Sequence, residues 1–414
     1  MPPRFAALAP LAAPDYRRLW LIGLCVNTAR WVDLLAMGWL ALTLTGSPLM
    51  VGIAAFCRSV PLLAFGPFGG SLADRLPRRR LLLTAQALAL AAALGLAALF
   101  GLHGGAYSGL VAMEIVLGLA WAIDFPVRRT ALFAVVGSGG VTGAISLETF
   151  SMQIGKLVGP ALAGLLLGRV GAIGCYVALA VLYVTAIALT RGLPGGIGSG
   201  VAPAPASAAD GWRAGIEAVW KRRPVRVVLI ITVIMNVLVF PYQQMLPVFA
   251  RDVFHVGPEL LGLMVAADGL GALLAALAVA AQRGFGRHGQ VFAGGSMLAA
   301  ILLLGFTASP WYGLSVVLLF AMGLAESGFA TMQSAMVLLG APPHMRGRAM
   351  GILSACIGTG PFGTVWIGIL ASRIGAPLAV AVNGLAALVL MLPVAWRMLS
   401  GGARPSDVEG RAEP

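Results

Sequence analysis

Charged residues and cysteines are both scarce in this sequence, and each shortage excludes a class of protein. Only 10% of the 414 residues are charged, whereas about 25% is usual in a soluble domain. The four cysteines all fall inside apolar runs, so the sequence predicts neither a disulfide framework nor a metal site. A Gly-rich phosphate loop of the Walker type is also missing, so no ATP-driven activity, no enzyme and no cofactor is predicted.

Apolar residues, by contrast, make up 59% of the chain, and the mean hydropathy is +0.92. A helix needs roughly 20 mostly apolar residues to span a membrane, and runs of that length recur throughout the sequence. Helices are expected because every backbone amide in lipid must be satisfied internally. The sequence therefore predicts an all-α membrane protein with twelve transmembrane helices, at roughly 19–44, 49–72, 81–101, 106–131, 142–167, 171–190, 225–250, 257–281, 290–308, 311–338, 349–371 and 375–397.

The basic residues set the predicted orientation. With the N-terminus placed in the cytoplasm, 22 of the 28 Lys and Arg residues fall on the inner side, three fall within spans, and only Arg169, Arg251 and Arg373 fall outside. The positive-inside rule then predicts that both termini are cytoplasmic. Although the net charge is +13, the basic residues are scattered among short loops, which argues against a nucleic-acid partner.

The two halves of the sequence resemble each other, which indicates a duplicated six-helix unit. Pro48-Leu-Met-Val-Gly52 matches Pro258-Glu-Leu-Leu-Gly262, and Gly118-Leu-Ala120 matches Gly323-Leu-Ala325, both at offsets of about half the chain. Parallel repeats of this size place a substrate site between the halves, near the bilayer midplane.

Four segments follow from this pattern. They are an N-terminal six-helix bundle at 1–190, a cytoplasmic linker at 191–224, a C-terminal six-helix bundle at 225–397, and a cytoplasmic tail at 398–414. The first part of the linker is rich in Gly, Ala, Pro and Ser, which is typical of a flexible chain. Its second part, 212–223, is either a short basic amphipathic helix on the membrane surface or a solvated loop.

Between the second and third predicted spans the sequence reads Gly69-Gly70-Ser71-Leu72-Ala73-Asp74-Arg75-Leu76-Pro77-Arg78-Arg79-Arg80. This stretch resembles the loop 2–3 motif of the major facilitator superfamily, although Pro77 replaces the usual second glycine. The resemblance implies that the aspartate helps to latch the two halves together on the cytoplasmic side. The residues assigned to this gating motif are Gly70, Asp74, Arg75, Arg78 and Arg79. The alternative is a basic loop that only sets topology.

A second motif lies in the fifth predicted span. There Gly155, Gly159, Pro160 and Gly164 resemble the Gly-x-x-x-Gly-Pro-x-x-x-Gly pattern of exporters in the superfamily. Glycines on a helix face permit close packing, and the proline bends the helix. The motif favours export over uptake, and the alternative is an ordinary small-residue packing face.

Three further stretches, 122–129, 240–252 and 345–351, resemble a bacterial branch of the superfamily that includes enterobactin exporters and related multidrug efflux proteins. The resemblance extends over essentially the whole chain and implies a location in the bacterial inner membrane. One departure is Glu114, which stands where many drug–proton antiporters of the superfamily carry an arginine. This difference puts the usual proton relay of the fourth span in doubt.

Several charged residues lie near the middle of predicted spans, where each ionised side chain costs roughly 2.5–3.5 kcal/mol unless it is paired or faces water. Asp33 shares a helix face with Arg30, and Arg58 on the next span could compete for it. Asp268 and Glu326 have no mid-span base in their own half. They are therefore expected to pair across the halves, to bind a cationic group, or to be protonated.

The charged spans are those that line the cavity in the superfamily fold, whereas spans 3, 6, 9 and 12 carry no charge in their apolar cores. This distribution predicts an aqueous cavity for substrate and protons, and the alternative is a set of static structural ion pairs. The residues placed at the cavity are Asp33, Arg58, Lys156, Asn236, Gln243, Asp268 and Glu326.

Together these features predict a monomeric secondary active transporter that exports small amphipathic molecules, drug-like or siderophore-like, by proton-coupled alternating access. Its expected partners are a small-molecule substrate, protons and the lipid bilayer. Two alternatives stay open. One is uniport or uptake of a metabolite, and the other is a lipid flippase or a non-transporting receptor built on the same fold.

Overall fold

The computed structural model describes residues 10–197, 222–281, 288–341 and 346–400, and every regular element within these ranges is a helix. The helices of the first half are α1 (Pro14–Thr45), α2 (Pro48–Arg75), α3 (Arg78–His103), α4 (Tyr107–Gly137), α5 (Ser146–Arg169) and α6 (Ala172–Arg191). Those of the second half are α7 (Val225–Val253), α8 (Pro258–Ala281), α9 (His288–Ala308), α10 (Tyr312–Gly340), α11 (Ala349–Ile374) and α12 (Ala376–Ser400).

Eleven helices in the described ranges are long and apolar enough to cross a membrane, and α2 contributes the shorter apolar stretch Pro48–Ala64. The chain is therefore an all-helical, multi-pass membrane protein. Each span predicted from hydropathy overlaps one of the helices α1 to α12. That all twelve cross the membrane as two six-helix repeats stays a prediction.

The connection between α4 and α5 is more helical than the spans predict. The sequence leaves a loop at 132–141, but the backbone is helical from Tyr107 to Arg169 apart from Gly137. Gly137 has φ 64° and ψ −176°, a conformation that only glycine adopts without strain. One glycine therefore interrupts an otherwise continuous helical backbone that contains both α4 and α5.

α7 is irregular along its length. The α-helix Arg223–Ile234, which starts two residues before the apolar span, forms its first segment. A π-helical turn, Met235–Val239, follows, and the α-helix resumes at Tyr242 after Phe240-Pro241. A second π-helical turn, Phe249–Val253, ends it. Such π-helical turns inside α-helices occur frequently at functional sites.

The chain divides into two compact units. Unit 1 comprises Met1–Ala204 and Gln243–Leu270, and unit 2 comprises Pro205–Tyr242 and Gly271–Pro414. The later part of α7 and the first part of α8 thus pack with α1 to α6. The chain leaves unit 2 after Tyr242, the residue that follows Pro241, and re-enters it at Gly271, so both crossings lie beside residues that weaken a helix.

In unit 1, glycines allow the helices to approach backbone to backbone. Gly118 of α4 lies against the carbonyl oxygen of Arg58 in α2, which a Cβ at that position would overlap. Gly159 of α5 lies against α1, where a Cβ would stand 2.9 Å from the carbonyl oxygen of Thr28. Close approach of this kind stabilises helix pairs in membranes, where the hydrophobic effect does not.

Unit 2 is held by the same kind of packing and by an aromatic cluster. Gly271 of α8 lies against the carbonyl oxygen of Phe320 in α10. The ring of Phe329 in α10 stacks on Phe292 of α9 at 5.3 Å and meets Phe240 of α7 edge-on at 5.5 Å. Both arrangements are favourable aromatic geometries.

Candidate substrate and proton site

A buried charge cluster joins α1, α2 and α4 in unit 1. The Nη1 group of Arg58 donates hydrogen bonds to Oδ2 of Asp33 and, at 2.7 Å, to Oε2 of Glu114. The three side chains are 8%, 1% and 0% exposed, respectively. A buried guanidinium that binds two carboxylates helps to compensate the desolvation of all three groups, and loss of the guanidinium would leave two buried carboxylates without their base.

The arrangement settles which base pairs with Asp33. Arg58 forms the ion pair, whereas the guanidinium of Arg30 lies over the ring of Trp121, 4.4 Å from its centroid. Helix spacing alone allowed Arg30 as the partner. Gly118 explains why Glu114 also reaches Arg58, because it brings α4 against the backbone of α2 at Arg58 one turn away from Glu114.

Glu114 is a site residue that the sequence interpretation left out of the cavity. The sequence shows it as an off-centre acid of the fourth span and as a departure from the arginine that drug–proton antiporters of the superfamily carry at that position. That departure was the available signal, because a buried carboxylate has to be compensated, and a nearby base is one way to do so. In this protein Arg58 supplies it from α2.

A second ion pair joins α5 and α8. The Nζ group of Lys156 lies 2.8 Å from Oδ2 of Asp268, and the two side chains are 9% and 0% exposed. Gly269, the next residue, permits this approach, because a Cβ there would stand 2.6 Å from the carbonyl oxygen of Lys156. The pair links the first and second halves of the sequence within unit 1, which is one of the three outcomes expected for Asp268.

Further charges lie in the last turns of α4. Asp124 accepts a hydrogen bond from Nε of Arg128 at 2.9 Å, and Arg129 lies 3.4 Å from Oε2 of Glu148. Arg128 is only 1% exposed and occupies space left by Gly23 of α1, where a Cβ would stand 2.6 Å from its Nη1. Asp124 also lines a small crevice in unit 1, together with Gln86, Ala120, Trp121 and Tyr183.

The other predicted cavity residues lie elsewhere. Asn236 is in the first π-helical turn of α7 in unit 2, and its Nδ2 group donates a hydrogen bond of 2.9 Å to the carbonyl oxygen of Thr232. Gln243 follows the interruption of α7 and belongs to unit 1. Glu326 is on α10 in unit 2 and is 6% exposed. The structure thus joins four of the seven predicted residues into two ion pairs.

The exporter-type glycines face two different helices. Gly155 and Gly159 lie against α1, whereas Gly164 lies against α8, where its Cβ would stand 2.8 Å from Cα of Gly262. Pro160 belongs to the same contact, because a Cβ at Gly262 would stand 2.5 Å from its carbonyl oxygen. The motif residues therefore tie α5 to a helix of each half of the sequence, all within unit 1.

Only part of the predicted gating motif lies in the described structure. At Gly70, Asp74 and Arg75 the structure describes only the backbone, which is helical there as part of α2. Arg79 is described, and its Nη2 group donates a hydrogen bond of 2.6 Å to the carbonyl oxygen of Arg191. This bond ties the start of α3 to the end of α6. Arg78, the first residue of α3, is also described.

A multi-pass helical fold with ion pairs buried in its spans is the architecture of a secondary membrane transporter. The chain belongs to the transmembrane secretion effector family of the major facilitator superfamily, which it matches over residues 5–404. The predicted superfamily is thus confirmed, and the protein is a transporter rather than an enzyme.

Two relatives resemble the chain over most of their length. A staphyloferrin A transporter of Staphylococcus aureus is 23% identical over 87% of this chain and 91% of the relative. The multidrug efflux pump Tap of Mycolicibacterium fortuitum is 27% identical over 85% of this chain and 88% of the relative.

Solved structures of other transporters share the fold. A D-xylose–proton symporter superposes with a TM-score of 0.70 at 14% identity, over 93% of this chain and 97% of the symporter. A nucleoside transporter superposes with a TM-score of 0.69, also at 14% identity, over 93% of this chain and 99% of its own. At such low identity the likeness concerns the fold alone.

Proposed function

We propose that this protein exports small amphipathic molecules across the bacterial inner membrane in exchange for protons, by alternating access. The observation that carries the proposal is the Lys156–Asp268 ion pair, which is buried in two spans and joins the two halves of the sequence. The names of the two relatives, a siderophore transporter and a multidrug efflux pump, support small molecules as substrates. The protein works as a monomer with both termini in the cytoplasm.

Proton coupling would act through the contact between α5 and α8. Protonation of Asp268 neutralises its carboxylate and removes the charge that holds Lys156, 2.8 Å away. The α5–α8 contact then depends on the close glycine packing at Gly164 and Gly262 alone, so it is weaker and α8 can separate from α5. Loss of the proton restores the ion pair and closes the contact. Each cycle thus exchanges a proton for a substrate.

The remaining predicted residues complete the proposed cavity and gate. Asn236 and Gln243 flank the interruption of α7, where an unwound turn offers polar groups to a substrate. Glu326 supplies the acidic group of α10, and the Asp33–Arg58–Glu114 cluster supplies charges on the first half. Gly70, Asp74, Arg75, Arg78 and Arg79 form the cytoplasmic gate.

The test is substrate accumulation in vesicles that contain the purified protein with its cytoplasmic face outward. With an acidic interior, a radiolabelled amphipathic compound chosen by a thermal-shift screen should accumulate above its external concentration. A protonophore should abolish accumulation but spare equilibration. Equilibration that never responds to the pH gradient would instead establish the uniporter. Accelerated transfer of labelled lipids between leaflets, without accumulation of soluble compounds, would establish the flippase.

A further inference from the structure

Two aromatic rings on α4 are enclosed between two guanidinium groups. Trp121 and Phe125 stack with their centroids 5.1 Å apart and their planes at 24°. The guanidinium of Arg30 lies over Trp121 at 4.4 Å, and that of Arg129 lies over Phe125 at 5.8 Å. The four side chains therefore form a column in the order arginine, tryptophan, phenylalanine, arginine. We call this column the cation–aromatic stack.

The stack follows from helix geometry. Trp121, Phe125 and Arg129 are spaced four residues apart, so they share one face of α4, and Arg30 joins them from α1. Glu114 and Gly118 continue the same face, and they contact the buried charge cluster of α2. One stripe of α4 thus leads from the buried cluster along the aromatic rings to Arg129.

The stack is partly exposed. Arg30, Trp121 and Phe125 are partly exposed, and the side chain of Arg129 is 46% exposed. Arginine side chains cannot face acyl chains in the membrane without a large cost, so the exposed side of the stack faces water. The partly exposed rings of Trp121 and Phe125 offer apolar surface to a solute on that side.

Each charged group around the stack other than Arg30 takes part in an ion pair. Arg129 lies 3.4 Å from Glu148, which neutralises part of its charge. Asp33, the nearest acid on α1, is bound by Arg58, and Asp124 on α4 is bound by Arg128. Among the described residues no carboxylate forms a direct ion pair with Arg30. Its guanidinium therefore retains hydrogen-bonding capacity for a ligand.

The aromatic rings reinforce this preference for one sign of charge. The faces of an aromatic ring are electronegative and its edge is electropositive. Each ring of the stack already lies against a guanidinium and against the neighbouring ring. Since cations already occupy positions over the rings, a further organic cation is disfavoured as a ligand.

We infer that the cation–aromatic stack is a binding subsite for amphipathic aromatic carboxylates. The carboxylate accepts paired hydrogen bonds from Arg30, for which the planar guanidinium is well matched. The aromatic part of the ligand packs against the edges of Trp121 and Phe125. The inference rests on the proposed export of small amphipathic molecules and narrows their chemical class to aromatic anions.

Direct binding to the purified full-length protein tests the assignment without any proton gradient. Three probes of matched size separate its parts: 2-naphthoate, 2-naphthylmethylammonium, and the saturated decalin-2-carboxylate. Calorimetric titration should show 2-naphthoate binding about tenfold more tightly than either of the others, because one lacks the negative charge and the other lacks the aromatic ring.

Variants at two positions assign the selectivity to the stack. Arg30→Gln should weaken 2-naphthoate binding about tenfold or more, and Arg30→Lys by less, because the charge remains while the planar fork is lost. Trp121→Leu should remove the preference for the aromatic over the saturated carboxylate, and Trp121→Phe should keep it. Matched controls at exposed positions, Arg169→Gln and Trp311→Leu, should leave binding unchanged.

The outcomes separate this inference from the proposed function. Equal binding of the naphthyl ammonium and carboxylate, or unchanged 2-naphthoate binding in folded Arg30→Gln, rejects the subsite even if proton-driven transport is present. Selective binding that depends on Arg30, together with transport that ignores the pH gradient, supports the subsite and rejects proton-driven export. If Arg30→Gln and Trp121→Leu do not fold, binding by Arg30→Lys and Trp121→Phe decides, and unchanged affinity in the lysine variant rejects the assignment.

Discussion

Replacing Asp268 with asparagine removes the negative charge that lies 2.8 Å from the ammonium group of Lys156. An exposed ion pair would contribute at most about 1 kcal/mol, but these side chains are only 9% and 0% exposed. The variant leaves the Lys156 charge in a buried position, and breaking a buried pair in this way costs roughly 3–5 kcal/mol. We therefore expect Asp268→Asn to lower the melting temperature by several degrees.

The double variant separates stability from proton coupling. Lys156→Met should be destabilising for the same reason as Asp268→Asn, because each leaves one buried charge. The combination of Lys156→Met and Asp268→Asn leaves neither, so its melting temperature should lie above that of both single variants. Driven transport should stay lost in the double variant, because it has no carboxylate at this position to carry the proton.

The assay measures three quantities on the same preparations: melting temperature, accumulation driven by a pH gradient, and substrate exchange at equal pH. Exchange needs no net proton movement, so it should survive in the double variant. Asp252→Asn is the matched control, since this carboxylate is 43% exposed and pairs with the neighbouring Arg251. It should change the unfolding free energy by about 1 kcal/mol or less and leave driven transport intact.

Two results would refute this reasoning. Additive losses of stability in the double variant would show that the two side chains do not stabilise each other. Recovery of driven transport together with stability would show that the pair is only structural and that the coupling proton binds elsewhere. Glu114 and Asp33, the two carboxylates bound by Arg58, would then be the next groups to neutralise.

Three further predictions concern packing, the gate and topology. Gly118→Ala should lower the free energy of unfolding by about 1–3 kcal/mol in a thermal melt, because the added Cβ overlaps a carbonyl of α2. The control Gly351→Ala has open space around it and should be neutral or stabilising. Asp74→Asn should slow transport in vesicles while expression and melting stay near wild type, and an unchanged rate would leave the loop with a purely topogenic role. Reporter fusions at Pro414 should report the cytoplasm and those at Gly105 the outside, and the opposite pattern would overturn the orientation.

Hydropathy predicts most of the fold because each spanning helix must satisfy its own backbone within an apolar run. Local deviations are harder to predict. Gly137 breaks the helix between α4 and α5 through one positive φ angle, and the π-helical turns of α7 depend on how the surrounding helices pack. The sequence identifies Pro241 as a residue that interrupts a helix. It does not indicate that two turns of α7 are π-helical, with one residue more than an α-helical turn.

Sequence is less informative about ionic partners than about the need for them. The cost of a buried charge requires that Asp33 and Asp268 be compensated. The sequence allows two partners for Asp33: Arg30, one turn away on the same helix, and Arg58 on the next helix. The choice depends on how α1 and α2 pack together, and Gly118 of α4 brings Glu114 to the same arginine. Packing determines which side chains meet when two helices are distant in sequence. The residue periodicity of a single helix does not contain this information.

The buried cluster also shows how a departure from a family pattern can be interpreted. Glu114 replaces an arginine that drug–proton antiporters of the superfamily carry in this span, yet the structure still contains a buried arginine at that level, contributed by α2. The sign of the charge on α4 has changed, and Arg58 has become the group that the carboxylates share.

Arg58→Gln should therefore lower stability more than Glu114→Gln. It leaves two buried carboxylates without their base, whereas Glu114→Gln leaves the Arg58–Asp33 pair in place. Thermal melts of the two variants test this order, and equal losses of stability would mean that Arg58 does not hold both acids at once.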